Sequence, residues 1–83
     1  MLSILIPTYN FDCTPLVSEL QHQITAHNIT AEVIVMDDAS PDANIRSTLT
    51  AIDTLPHCRL VQLPHNVGIA RIRNLLADQA QYP

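Results

Sequence analysis

Two adjacent carboxylates, Asp37 and Asp38, follow directly on the apolar run Val33-Ile34-Val35-Met36. An ionised carboxylate offers only hydrogen-bond acceptors. Such a pair can hold a cation, take up a proton or receive an N–H from a ligand. Two arginines, Arg71 and Arg73, stand close together near the end of the chain. A guanidinium fork suits a phosphate or a carbonyl. Tyr9 is one of three aromatic residues. In a loop, its ring offers a face on which a base can stack, for roughly 1–3 kcal/mol. Each of these groups also has an ordinary structural role. Aspartate is a frequent turn residue. The arginines can pair with Asp37, Asp38 or Asp78, and Tyr9 can pack its ring on a helix. His22 and His27 lack a ligand partner at helical spacing on one face and read as solvated. Cys13 and Cys58 lie in different apparent elements and read as reduced thiols of a cytoplasmic protein.

These residues need elements to position them. The run ending at Met36 is continuous, apolar and β-branched, which reads as a strand buried on both faces in a parallel sheet. The two aspartates then emerge at its carboxyl end, where open α/β sheets bind ligands. Before it, Leu2–Pro7 reads as a first strand, ended by a proline that cannot donate to the ladder. Thr8-Tyr9-Asn10 is its loop. A helix should run from Asp12 or Thr14 to His27, with Pro15 in its first turn. Leu16, Val17, Leu20 and Ile24 mark its apolar face. After the aspartates, Ser40 or Asp42 can cap a second helix whose buried face is Ile45, Leu49 and Ile52. Leu55-Pro56 stops that helix, and Arg59–Pro64 reads as a third strand.

His65-Asn66-Val67-Gly68 forms the third loop. Gly68 is the only glycine and is expected to permit a backbone conformation or a close approach that a side chain would block. A third helix should run from Ile69 to Ala80, with Ile69, Ile72, Leu76 and Ala80 toward the sheet and Leu75 beside them. Arg71 and Arg73 near its start oppose the helix dipole, which suits a bound anion. The resulting order is β-α-β-α-β-α, a Rossmann-like parallel sheet with right-handed crossovers.

The totals narrow the class. The chain has 83 residues, is 47% hydrophobic and 14% charged, and so forms one small globular domain. Its four basic residues, all arginine, oppose eight acidic ones for a net charge of −4. That balance argues against nucleic-acid binding. No run approaches the roughly 18 apolar residues of a membrane span. The first strand begins too soon after Met1 for a secretory signal.

The three loops together resemble family 2 glycosyltransferases of the GT-A fold. That family shows an apolar strand ending in Pro-Thr-Tyr-Asn, here Pro7-Thr8-Tyr9-Asn10. It shows a second ending in Asp-Asp-x-Ser with a further Asp, here Asp37-Asp38-Ala39-Ser40 and Asp42. Its third block, Asn-x-Gly-x-x-x-x-Arg-Asn, matches Asn66 through Asn74. The resemblance covers nearly the whole chain, residues 1–83, and corresponds to the amino-terminal, nucleotide-binding half of the domain.

The resemblance implies binding of a nucleotide-sugar donor, with a UDP-sugar favoured. Pro7, Tyr9 and Asp38 match base-binding positions, and Arg73 matches an arginine that faces the donor. Thr8, Asn10, Asp37, Asn66, Gly68 and Arg71 would bind the nucleotide or shape the loops, with Asp37 orienting its loop. Arg71 stands where the family often has a small residue.

The family's metal-binding Asp-x-Asp lies on a fourth strand, which would begin at Gln81-Tyr82-Pro83. Its acceptor site and base come later still. A divalent cation, Mg²⁺ or Mn²⁺, is therefore expected only in an intact enzyme that transfers sugar to a hydroxyl acceptor, as in cell-surface polysaccharide synthesis at the inner face of the membrane. The 83-residue chain alone is expected to transfer none. By the same analogy the strand order is 3-2-1, which leaves the first strand with a bare edge open to self-association. The alternative reading is a non-catalytic α/β module that binds a nucleotide or a partner protein. A dinucleotide-binding domain is disfavoured because no Gly-x-Gly-x-x-Gly follows a strand. A receiver-like domain is disfavoured because the chain has no lysine to meet a phosphoryl group.

Overall fold

A computed structural model describes residues 1–82. Strand β1 (Leu2–Thr8) is followed by helix α1 (Thr14–Ala26) and strand β2 (Ala31–Asp37). Helix α2 (Ala43–Leu49) then tightens into a 3-10 turn at Thr50–Thr54. Strand β3 (Cys58–Gln62) and helix α3 (Ile69–Gln79) complete the order. The sheet is parallel throughout, with β2 between β1 and β3. This is the 3-2-1 order read from the other end. The outer edge of β1 meets no strand among the described residues.

The central strand is buried as its composition requires. Val33, Ile34 and Val35 are fully inaccessible and Met36 nearly so. Successive side chains of a strand point to opposite faces. Val33 and Val35 therefore pack with Val17, Ile24, Leu49 and Ile52 in one layer. Ile34 and Met36 pack with Ile72 and Leu76 of α3 in the other. Burying each such side chain contributes roughly 1.5–3 kcal/mol.

The two helical stripes are shorter than the spacing suggests. Leu16 and Ile69 are 53% and 61% exposed, so neither faces the sheet. Both sit in the first turn of a helix that starts at the carboxyl edge of the sheet. Cα–Cβ bonds tilt toward the helix N-terminus, so first-turn side chains overhang that edge. The boundaries also shift slightly. β3 starts at Cys58 and ends at Gln62, before Leu63 and Pro64. The proposed cap at Asp42 is present: its carboxylate accepts from the amides of Asn44 and Ile45. Asp12 acts one residue ahead of the α1 cap, taking the Thr14 amide at 2.9 Å.

At the opposite end of the sheet, the carboxy-terminal segment folds back onto β1 and β2. Glu32 accepts the Gln81 amide at 2.6 Å and the Ser3 hydroxyl at 2.7 Å, while Ser3 accepts the Tyr82 amide at 3.0 Å. The expected fourth strand is not seen at Gln81 and Tyr82, and Pro83 lies outside the described residues. Burial alone would raise the Glu32 pKa. The Ser3 and Gln81 hydrogen bonds and the nearby Arg59 charge outweigh it, holding the carboxyl below its ordinary value. A carboxyl with a depressed folded pKa stabilises above its unfolded value, and that stability is lost as pH falls through the folded one. The segment should thus release below about pH 4.3, the ordinary carboxylate range. Protection of the Gln81 and Tyr82 amides, the exchange rate relative to the intrinsic rate at each pH, should fall in that window, and constant protection would refute the tie.

Candidate functional site

The three loops meet at the carboxyl edge of the sheet, and hydrogen bonds stitch each to the next. The β1–β2 ladder extends to Asp38, whose amide donates to the Thr8 carbonyl at 2.9 Å. At the end of β1, Thr8 is buried and its hydroxyl donates to the Phe11 carbonyl of the first loop at 3.1 Å. This tight turn leaves Tyr9 and Phe11 turned outward, 53% and 65% exposed. Asn10 takes a left-handed conformation, φ 50°, which asparagine tolerates well.

The alternation of β2 separates the two aspartates. Asp37 continues the face of Val33 and Val35 and is fully buried. Its Oδ1 accepts both the amide and the hydroxyl of Ser40. Ser40 in turn accepts the Asn10 amide at 2.6 Å, and the Asn10 side chain accepts the Asp42 amide at 3.3 Å. Asp37 thus orients its loop and, through Ser40, fixes the first loop against the second. Its Oδ2 meets no hydrogen-bond partner among the described residues.

Asp38 continues the other face, toward α3. Its Oδ1 accepts the Val67 amide at 2.7 Å and its Oδ2 the Gly68 amide at 3.0 Å. The Asn66 side chain donates to the Asp38 carbonyl at 3.2 Å. A negative group at a helix N-terminus is favourable. The chain supplies one here from its own β2 loop. Two amide bonds use only half of a carboxylate's roughly four lone-pair sites, so Asp38 keeps capacity for a ligand N–H.

Gly68 caps α3 at φ 86° and ψ 162°, a region open essentially only to glycine. A Cβ there would meet nothing within 4 Å. The glycine is therefore required by its backbone conformation, and close approach of a neighbour plays no part. Ala39 shows the reverse case. It sits between Asp38 and Ser40 at φ 58°, where an L side chain costs roughly 1–2 kcal/mol. Ala39→Gly should relieve that strain and raise stability by about 0.5–1 kcal/mol after glycine's greater backbone entropy cost. A lower denaturation midpoint in the variant would count against the strain.

A cavity of about 270 Å³ opens between the first and third loops. Pro7, Thr8, Tyr9, Asp38, Asn66 and Gly68 line it, with Ile69 and Ile72 completing the walls. The sequence pointed to the first six. It placed both isoleucines on the sheet-facing stripe and missed Ile69 as a cavity wall. The missing signal is its first-turn position, which overhangs the sheet edge. Asn10 and Asp37 do not line the cavity and act on its loops instead. Arg71 and Arg73 are exposed on α3 and lie outside the cavity lining. Neither makes a hydrogen bond or ion pair with Asp37, Asp38 or Asp78 among the described residues.

The remaining reactive groups do not add to the site. Cys13 is buried beside Thr8, and burial raises its thiol pKa above the ordinary value. Burial likewise raises the Cys58 thiol. Both cysteines are free. Among the described residues no three of His, Cys, Asp or Glu gather as metal ligands. The divalent cation expected of an intact enzyme finds no ligand set in them. Among the described residues no helix is long and apolar enough to cross a membrane.

Comparisons with known proteins bear on the fold and the family. No curated protein matches the chain in sequence. The crystal structure of S. aureus TarS superposes with a TM-score of 0.62 and 27% identity, covering 96% of this chain and 14% of that one. The structure of S. aureus TarS 1-349 in complex with UDP-GlcNAc gives 0.63 and 27%, covering 96% of this chain and 23% of that one. TarS 1-349 alone gives 0.62 and 27%, with 96% and 24% covered. The chain thus spans less than a quarter of each TarS chain, and its parallel α/β arrangement is that of the GT-A-like fold. A sequence model of glycosyl transferase family 2 matches residues 3–83, and the chain belongs to that family.

Proposed function

We propose that these residues bind the nucleotide of a nucleotide-sugar donor, with Tyr9 stacking on the base and Asp38 receiving a ring N–H. One observation carries this reading. Pro7 and Tyr9, at and just after the end of β1, and Asp38, just after β2, arrive from separate parts of the chain and line a single cavity. The TarS complex with UDP-GlcNAc supports a UDP-sugar as the donor. In this reading the whole protein transfers the sugar to a hydroxyl acceptor, in the cytoplasm or at the inner face of the membrane. The acceptor site, the catalytic base and any divalent cation then belong to chain beyond these residues, and the 83-residue piece transfers no sugar by itself. Arg73 contributes in this reading by turning toward the donor phosphates when the nucleotide is bound. The free edge of β1 is available to the remainder of a domain or to a second copy.

Titration calorimetry with UDP tests the base site. Tyr9 is 53% exposed, so Tyr9→Ala should leave the fold intact. Removing a stacked aromatic should weaken UDP by about 5- to 150-fold, the equivalent of roughly 1–3 kcal/mol. Equal UDP affinity in the two proteins would refute the stacking role.

A further inference from the structure

We propose that Arg46 is a positioning residue of the base site, holding Tyr9 in place through Ser40 and Asn10. The inference rests on the nucleotide-binding reading above and deepens it. The chain has four arginines. Arg59 reaches Gln79, while Arg71 and Arg73 stand exposed on α3. Arg46, on α2, reaches into a loop of the site. Its Nη1 donates to the Ser40 carbonyl at 2.6 Å and to the Pro41 carbonyl at 3.1 Å.

The loop it grips needs such a hold. Ala39 stands at φ 58°, and a non-glycine residue keeps that conformation only where its surroundings over-determine it. Asp37 supplies part of the restraint, since its Oδ1 accepts the Ser40 amide and hydroxyl. It can do nothing for the Ser40 carbonyl, because a carboxylate and a carbonyl are both acceptors. A donor is needed there. Arg46 provides a charged one, whose hydrogen bonds are stronger than neutral ones.

The restraint continues into the first loop. Ser40 Oγ accepts the Asn10 amide at 2.6 Å. That amide belongs to the peptide bond that follows Tyr9, so the position of Ser40 sets the backbone from which the Tyr9 ring projects. The Asn10 side chain also accepts the Asp42 amide at 3.3 Å. Arg46 in turn donates its own amide to the Asp42 carbonyl at 3.0 Å. Arg46 thus meets both residues that hold the first loop. Tyr9 is 53% exposed, and its placement depends on this backbone.

Titration of UDP followed by NMR tests the role in four proteins: the unaltered chain, Arg46→Met, Tyr9→Ala and the double variant. Arg46 is exposed and lies outside the cavity lining, so Arg46→Met should fold, as circular dichroism checks. Arg46→Lys, with a shorter arm, takes its place if it does not. Arg46→Met should weaken UDP by about 2- to 10-fold, the lower range of coupling within one hydrogen-bond network. On the Tyr9→Ala background the same change should alter UDP affinity by less than about twofold, the scatter of independent sites. The Asn10 amide signal should move in Arg46→Met, while the Val67 and Gly68 amides held by Asp38 stay in place. Unchanged UDP affinity in Arg46→Met, equal weakening on both backgrounds, or an unmoved Asn10 amide would overturn the role of Arg46 while leaving nucleotide binding intact. Failure of the unaltered chain to bind UDP would overturn both.

Discussion

Asp38→Asn will destabilise the chain by about 3 kcal/mol, and the site will lose its nucleotide affinity with it. The carboxylate is 6% exposed and bridges two backbone amides, at 2.7 and 3.0 Å. Hydrogen bonds to charged groups contribute roughly 1.5–3 kcal/mol each. Asparagine can keep one of the two bonds. Its NH₂ then faces the other amide, donor against donor, and that buried N–H goes unpaired. For a domain of this size, each kcal/mol shifts Tm by about 4–8 °C. The expected drop is therefore roughly 12–24 °C. The same substitution frees one of the Val67 and Gly68 amides and so loosens the start of α3, which carries Ile69 and Ile72 of the cavity. A thermal melt within a few degrees of the unaltered chain would show that the bridge contributes little.

The neighbouring aspartate should answer the same substitution differently. Asp37→Asn should cost no more than about 1 kcal/mol, because the amide oxygen can keep both Ser40 bonds. What changes is Oδ2, which has no partner to lose. Asp37→Ala removes the acceptor itself and should cost about 3–4 kcal/mol. It leaves the amide and hydroxyl of buried Ser40 unsatisfied, at roughly 1–3 kcal/mol each. The Ser40 link to Asn10 should loosen in the same variant and weaken UDP binding through the first loop. Denaturant melts of the two Asp37 variants separate these effects. Equal losses in Asn and Ala would mean that Ser40 gains nothing from the oxygen.

This contrast also marks how far the sequence could be read. The run at Val33–Met36 fixed a doubly buried central strand, and the alternating order of elements fixed a parallel sheet. Both follow from local periodicity, and both match the structure. The three loops were placed correctly at one edge because parallel strands with helical crossovers share a carboxyl end. What periodicity could not show is which partner each aspartate meets. That depends on strand parity combined with which helix covers which face. Residue 38 shares its side with Ile34 and Met36, hence with α3, and so reaches Val67 and Gly68. Residue 37 shares its side with Val33 and Val35, and turns to Ser40.

The arginines show a second gap. Arg71 and Arg73 read as an anion site near the start of α3, yet the acidic group at that helix start is Asp38, from 30 residues earlier in the chain, which meets the Val67 and Gly68 amides and, among the described residues, neither arginine. Leu16 and Ile69 show a third, since a helical stripe in sequence does not reveal where the sheet beneath it ends.

The central claim is that the three loops form one nucleotide site. The most direct measurement is an amide chemical-shift map of the 83-residue chain titrated with UDP. Perturbations should gather at Thr8, Tyr9, Asp38, Asn66, Gly68 and Ile69, with the Glu32 and Tyr82 end of the sheet unmoved. Saturating UDP with no shift in these loops, or with shifts centred on Glu32, Arg59 and Tyr82, would contradict it.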